Sequence, residues 1–581
     1  MRTSLAALAV VHTSCAAEPP PRVSPSPAPS PETAVRESPR AAPVHVQVLA
    51  LNDFHGNLAP PRGHDGFVRA PGGERVQAGG AAFLAAHIQR LRALAPNTVV
   101  VSAGDLTGAS PLVSNLFRDE PTVLVMNQLG LDFEGVGNHD FDHGLAELTR
   151  LQRGGPSFQP PGIPDARSSA PFSGARFQYL AANVFGTDGR TVFPPYAIKE
   201  LGGVKVAFVG MTLEATPSVT TKEAIVGLTF ANEANTVNAL LPELRQRGVA
   251  TTVILLHQGG FQDESGTYDS CNGLKGDVLP VIAALDPAFR VVMTAHTHQA
   301  YNCTLGDRVV TSAGSYGRLV TVLDLAIDPT SNALVDVHAH NVPVTHDIDA
   351  DPAVAQIVGD FEARARPITD KIVGYIRGAL TRDPKSAHSR SCETPLGDVI
   401  ADAQLAATHG AGAVLALMNP GGVRTDLLSP GAVGGVSPVR YADAFEVQPF
   451  ANHLVTVSLS GADLRSLFER QFAGDRPRVL SVSSGFTYTY LYEASSKKVT
   501  IDPASMRLGG RKIDPAKRYR VTVNSFLADG GDGFSVLRDA PDRTTGALDI
   551  DALVDYLHRT TSAAPLEAAR KLDRVLGNAC E

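Results

Sequence analysis

Five apolar, β-branched runs along the chain each end in a polar cluster. VHVQVLAL (44–51) leads into Asp53 and His55, NTVVVSA (97–103) into Asp105, LDFEGV (131–136) into Asn138 and His139, VATTVILL (249–256) into His257, and FRVVMTA (289–295) into His296 and His298. Runs of this length between Gly and polar breakers, spaced among Ala- and Leu-rich helical stretches, predict buried strands of an α/β sheet. In open α/β sheets the ligand site lies beyond the carboxyl ends of the strands, which is where these clusters fall.

The polar residues share a chemistry. Asp53, His55, Asp105, Asn138, His257, His296 and His298 offer carboxylate, amide and imidazole ligands with no cysteine among them. That set suits divalent ions of the zinc, manganese, cobalt or iron class, whereas a structural zinc site favours thiolates. Any one of these histidines alone reads as a hydrogen-bonded structural residue, and Asp53 alone as a turn residue. Together they predict a catalytic dimetal centre, with Asp105 bridging two ions about 3.5–4 Å apart, the separation that clamps an in-line displacement at phosphorus. The reaction class that follows is metal-assisted hydrolysis of a phosphate ester.

Composition shifts divide the chain. At 581 residues it is too long for one core. After the strand-like LVTVLDLAID and VDVHAHNVPV, the stretch DPAVAQIVGDFEARARPITDKIV (351–373) has apolar residues at helical spacing and predicts one helix with a stop near Pro367. A boundary is placed there, with a linker helix over 348–371. GGPSFQPPGIPDARSSAPFSG (154–174) predicts a surface loop inside the first domain. No tandem repeat of solenoid period is present.

These motifs together resemble a known family. The first half is similar to the calcineurin-like metallophosphoesterases, and the whole chain from about Val44 resembles bacterial 5'-nucleotidases, a family that includes UDP-sugar hydrolases and 2',3'-cyclic phosphodiesterases. ETPLGDVIADAQL, MNPGGVRTDL, FEVQPFANHLVTVSLSG and YRVTVNSFLADGGDGF carry the resemblance in the second half. It implies an α/β-sandwich metallophosphoesterase domain over 44–347 and a 5'-nucleotidase-type α/β domain over 372–581. It also implies Asp53, His55, Asp105 and His298 at one metal, and Asp105, Asn138, His257 and His296 at the other. Many 5'-nucleotidases have an amide where this chain has His298, and the wider phosphoesterase family has histidine there.

Further roles follow from the same resemblance. His139 and Asp142 form a pair in which the carboxylate orients an imidazole that binds phosphate and assists the leaving oxygen, a role suited to a group with an unperturbed pKa near 6.5. His143, next to that pair, reads equally as a bland loop residue. Arg390, Asn419 and Arg424 are implied to reach substrate polar groups, Phe450 and Phe526 to sandwich the base, and Asn452 and Asp532 to lie at its edge or at the sugar. Guanidinium forks match phosphate oxygens and aromatic faces stack on any planar base. Asp398 follows Gly397 where some relatives have arginine, which predicts a phosphate clamp with one cation fewer. The implied activity is hydrolysis of 5'-nucleotides to nucleoside and phosphate by attack of a dimetal-activated water, with domain motion gating the site. Rivals are cleavage of 2',3'-cyclic nucleotides or UDP-sugar pyrophosphate bonds on the same centre. A rival of another class is a surface-anchored nucleotide-binding protein with a vestigial metal site, which the complete ligand set argues against.

The beginning of the chain adds a location. Arg2 and LAALAVV, followed by HTSC, predict a signal peptide over 1–15, with Cys15 resembling the lipidated cysteine of a bacterial lipoprotein; the alternative is an ordinary cleaved signal. Residues 16–43, dominated by Pro, Ser and Ala, predict an extended tether. No internal apolar run approaches the roughly 18–20 residues that span a bilayer. Export favours paired cysteines: of the five, the four besides Cys15 allow three pairings, and Cys271–Cys303 with Cys392–Cys580 is preferred because Cys271 and Cys303 flank the His257 and His296 strands. A formal charge of -8 argues against a nucleic-acid polymer as partner. The expected partner is a nucleotide substrate, and the expected state a monomer.

Overall fold

The computed structural model describes residues 41–580 apart from 162, 164–170, 264, 429–434, 474–475 and 569–570. The expected signal, the body of the expected tether and Cys15 lie outside the described residues. Among the described residues no helix is long and apolar enough to cross a membrane.

Two six-stranded sheets face each other in the first part of the chain. One runs Leu334–Pro343, Leu319–Ile327, Val44–Leu51, Thr98–Ser102, Phe133–Gly135, Gln178–Leu180, and the other Ala300–Leu305, Arg308–Ala313, Val291–Thr294, Thr251–Leu256, Val204–Met211, Tyr196–Leu201. Alternation decides which residues meet between them: Val46, Val48, Val99 and Val101 of one sheet pack on Val206, Phe208, Val253, Leu255 and Met293 of the other. The opposite faces are buried too, one under Ala81–Arg92 and Glu120–Leu129, the other under Glu233–Gln246 and Val278–Ala284. Strands covered on both faces are apolar throughout, which is why their ends are legible as the points where polar residues begin.

Register aligns those ends. Leu51 pairs with Ser102, Ser102 with Glu134, and Leu256 with both Met211 and Thr294, all in parallel ladders. The loops after these strands therefore leave the sheets at one level, and they carry the polar clusters.

The expected helix spans Pro352–Thr369. It starts at Asp351, whose side chain accepts the Val354 N–H, and it continues two residues past Pro367. It ends near Pro367 as expected, two residues on, because a proline in the last turn removes one backbone donor without ending the hydrogen bonding of the residues before it. Beyond it, a five-stranded sheet (Ser481–Val482, Leu415–Met418, Arg518–Asn524, His453–Ser460, Thr544–Leu548) is flanked by Pro395–Thr408, Gly461–Arg470 and Asp549–Leu557. The 154–174 loop closes at its neck, where Gly155 bridges Phe172. Disulfides join Cys271 to Cys303 and Cys392 to Cys580, the preferred pairing; Cys303 lies in a strand and not in a loop.

Candidate metal centre

Five of the seven candidate ligands occupy left-handed backbone: Asp53 (φ 48°), His55 (47°), Asp105 (54°), His296 (71°) and His298 (56°). Non-glycine residues seldom adopt that region, and where it clusters, the surroundings must over-determine it. Here adjacent loops do so. The N–H groups of Asp53, His55 and Gly56 donate to the carbonyls of Gly104, Asp105 and Leu106, and the Asp53 carbonyl accepts from Tyr316.

The side chains converge. His55 and His257 turn Nδ1 toward the carbonyls of Gly108 and Ala103, each at 2.8 Å, leaving both Nε2 atoms aimed inward. His55 Nε2 lies 3.1 Å from His298 Nε2, and His298 Nε2 lies 3.7 Å from Asp53 Oδ1. Asp105 Oδ2 stands 3.0 Å from His257 Nε2 and 3.6 Å from His55 Nε2. Asn138 Oδ1 is 3.2 Å from His257 Nε2 and 3.0 Å from His296 Nδ1. Two groups, Asp53–His55–His298 and Asp53–Asp105–His257, have ligand atoms within 4.8 Å of one another. The buried Asp105 Oδ2 and Asn138 Nδ2 make no hydrogen bond among the described residues. Inward lone pairs, an orphaned carboxylate oxygen and outward nitrogens fixed on carbonyls are the chemistry of a metal site.

Electrostatics agrees with that chemistry at three of the four histidine rings and departs from it at His257 and Asp53. Burial lowers His55 and His296 to about 3, and it holds His298 well below its ordinary value, so these rings are neutral as ligands must be. Burial opposes charge at His257 as well, but Asp105 beside it prevails and raises the ring to about 9. Burial raises Asp53 to about 7, His257 partly offsetting it.

His139 stands at the edge of the centre. Its Nδ1 lies 3.0 Å from Asp142 Oδ2, and its N–H donates to Asp105 Oδ1 at 2.8 Å. Burial works against the charged ring, yet Asp142 prevails and raises it above the ordinary histidine value. His143 is no solvated loop residue: Arg118 Nη1 donates to its Nδ1 at 2.6 Å in a half-buried setting.

The second half brings some of its expected residues here. Phe450 stacks on His139, ring centroids 5.6 Å apart and planes at 25°, and Arg424 lies over Phe450 at 5.6 Å. The Arg424 charge reaches His55, His139, His296 and His298, each of which it disfavours in the charged form. Asn419 donates to Asp532 at 2.9 Å, and Arg478 lies 3.9 Å from the same carboxylate. Asn452 accepts from Ser525 at 3.0 Å, while Phe526 packs so closely on Gly531 that a Cβ there would lie 2.5 Å from its ring. Among the described residues the rings of Phe450 and Phe526 do not touch. Arg390 is exposed beside the Cys392–Cys580 bridge, where its carbonyl accepts the Cys580 N–H at 2.9 Å. Asp398 is buried against Arg574, 3.5 Å from its Nε.

Residues 46–300 match the calcineurin-like phosphoesterase family and residues 372–539 the 5'-nucleotidase C-terminal domain. The chain carries both domains of the 5'-nucleotidase type, the calcineurin-like phosphoesterase domain and the 5'-nucleotidase C-terminal domain. Among curated relatives it is 31% identical to the endonuclease YhcR of Bacillus subtilis over 88% of this chain, and spans 40% of that protein's length. It is 28% identical to the cell wall protein Lmo0130 of Listeria monocytogenes over 94% of this chain and 71% of the relative. A solved structure, a 5'-nucleotidase precursor of Thermus thermophilus, shares the fold at TM-score 0.73 and 24% identity, covering 92% of this chain and 99% of its own.

Several residues at this site went unread in the sequence. Tyr316 (φ 62°) sets its ring 5.3 Å from that of His298 and lines an interdomain cleft of about 310 Å³ that also reaches Arg424. Glu134 is fully buried beside Asp140, and burial, with the Asp140 charge adding to it, raises it well above the ordinary carboxylate range. Asn52 donates to Asp53 at 2.7 Å. Asp140 sat in plain view in GNHDFDHG, but nothing in the motif says which way it points.

Proposed function

We propose that the protein is an exported nucleotide phosphohydrolase that converts 5'-nucleotides to nucleoside and phosphate. The observation that carries this reading is the meeting of Arg424 and Phe450 with His139 at the edge of the ligand cluster, because it joins a planar aromatic surface and a phosphate-matching cation to a metal-type site. Asp53, His55, Asp105 and His298 would hold one divalent ion and Asp105, Asn138, His257 and His296 the other. Bound there, such ions supply Lewis acidity at phosphoryl oxygens and lower the pKa of water.

The chain's own groups do the rest. Asp142 accepts from His139 Nδ1 and favours the doubly protonated ring, whose Nε2–H donates to the phosphoryl group and then gives its proton to the departing ribose oxygen. Arg424 and Arg390 neutralise phosphate, Phe450 and Phe526 hold the base by its faces, and Asn419, Asn452 and Asp532 meet its edge or the sugar. Export is supported by the two disulfides and by the likeness to a cell wall protein. Anchoring through Cys15 is part of the same proposal.

The likeness to an endonuclease favours a second reading, cleavage of phosphodiesters such as 2',3'-cyclic nucleotides. A panel of AMP, 3'-AMP, cyclic 2',3'-AMP and UDP-glucose, with loss of each substrate and its nucleoside, nucleotide, sugar-phosphate and phosphate products followed under zinc, manganese and cobalt, decides between them. Turnover greatest on AMP supports the first reading; a preference for cyclic 2',3'-AMP or UDP-glucose replaces it.

A further inference from the structure

Two loops supply ligands to both halves of the centre, and one buried carboxylate lies between them. Asp140 is 4% exposed. Its Oδ2 accepts the N–H of Asp105 at 2.9 Å and that of Gly137 at 2.8 Å. Its Oδ1 accepts the N–H of Thr107 at 3.0 Å and the Thr107 hydroxyl at 2.8 Å. Four donors thus saturate both oxygens, and each of the two loops contributes: Asp105 and Thr107 from one, Gly137, directly before Asn138, from the other.

The brace is reciprocal. The His139 N–H donates to Asp105 Oδ1 at 2.8 Å while the Asp105 N–H donates to Asp140. The two backbones touch with no room for side chains, since a Cβ at Gly137 would lie 2.2 Å from Asp105 Oδ1 and one at Gly108 would lie 2.0 Å from the His139 carbonyl. A carboxylate saturated by backbone donors in this way has no lone pair left for an ion or a substrate. It acts by direction: Asp105 sits at a φ of 54°, and a hydrogen bond to its N–H fixes the peptide plane from which its side chain departs.

We propose that Asp140 is the positioning residue of the metal centre, holding the Asp105 loop and the Asn138–His139 loop in the one register at which their ligands can share an ion. The proposal rests on the dimetal reading above, and its test reads ion binding apart from nucleotide turnover. Asp140→Asn preserves shape but turns one acceptor oxygen into an NH2 group facing N–H donors. Outer partners of metal ligands typically influence affinity about 10–100-fold, and a loss of that size is expected.

Zinc affinity measured by competition with a chromogenic chelator, beside thermal melts of the metal-free protein and p-nitrophenyl phosphate turnover at saturating zinc, separates the possibilities. Weaker zinc binding in Asp140→Asn with an unchanged metal-free melt supports positioning. Wild-type affinity, or a fallen melt with affinity intact, overturns it and leaves Asp140 a fold stabiliser. Should Asp140→Asn not fold, Thr107→Val carries the test by deleting one donor hydroxyl: weaker zinc binding at an unchanged melt supports the proposal and wild-type affinity overturns it. A wild-type protein that binds no ion of this class would instead sink the dimetal reading itself.

Discussion

Asp105 Oδ2 is the atom on which the centre turns, because imidazoles of both ligand groups approach it and no hydrogen bond occupies it. Asp105→Asn is expected to lose ion content and hydrolysis while the protein stays folded; metal analysis finding two ions with normal turnover would refute the bridge. His139→Ala is expected to keep its ions and to lower kcat about 10²–10⁴-fold, the contribution of one acid–base group, and an unchanged kcat would remove it from the mechanism. Asp398 tests the electrostatics elsewhere. Burial raises it from 3.8 to about 9, and Arg574 is already paired with Asp402 at 2.8 Å. The folded state therefore binds a proton that the unfolded chain releases above its ordinary value, so this group's contribution falls as pH rises between 3.8 and about 9. Asp398→Asn should raise stability at pH 8.5, by about 1–3 kcal/mol, the scale of an unsatisfied buried polar group, with little change at pH 4. Melts showing no gain at the higher pH would contradict that assignment. The seven candidate ligands stood out in the sequence because each lies within a few residues of the end of a buried strand. The burial of Glu134, the bonds from Asp140 to Asp105 and Thr107, and the pairing of Asp398 with Arg574 did not, since those contacts join different segments and no local pattern names them.

At the scale of elements, the site exists because parallel strands end level and each connecting loop turns sharply at once. Gly104 shows how little slack that leaves. Its φ is 102°, and an added Cβ would lie 2.5 Å from His257 Nδ1 and 2.7 Å from the Gly135 carbonyl. Gly104→Ala is expected to cost about 1–3 kcal/mol in backbone strain and to displace His257, lowering ion affinity. A variant with wild-type melt and ion binding would mean the loop adapts. Strand existence could be read from apolar runs bounded by turn residues, and the helix at Pro352–Thr369 from its spacing. Strand order and the pairing of two six-stranded sheets could not, because they depend on contacts between residues far apart in sequence. The proline marked the helix end to within two residues, since a missing donor matters least in the last turn.

For the whole molecule, the proposed division puts chemistry on the first half and recognition on the second, and the two phenylalanines test it differently. Phe450 rests on His139, so its removal would disturb both functions. Phe526 rests on Gly531 within the second half, touching no ligand among the described residues. If it stacks on the base, Phe526→Ala removes a contact of about 1–3 kcal/mol, and the loss falls on nucleotides but not on a phosphate ester without a base. The measurement is kcat/KM for AMP against p-nitrophenyl phosphate in wild type and variant, with a thermal melt beside them. A selective drop for AMP, mainly in KM and at an unchanged melt, supports a binding role, because a term common to ground and transition states appears in KM. Equal losses on both substrates, or a sharply lower melt, would make Phe526 a packing residue of the second half and leave Phe450 and Arg424 as the contacts joining recognition to the centre.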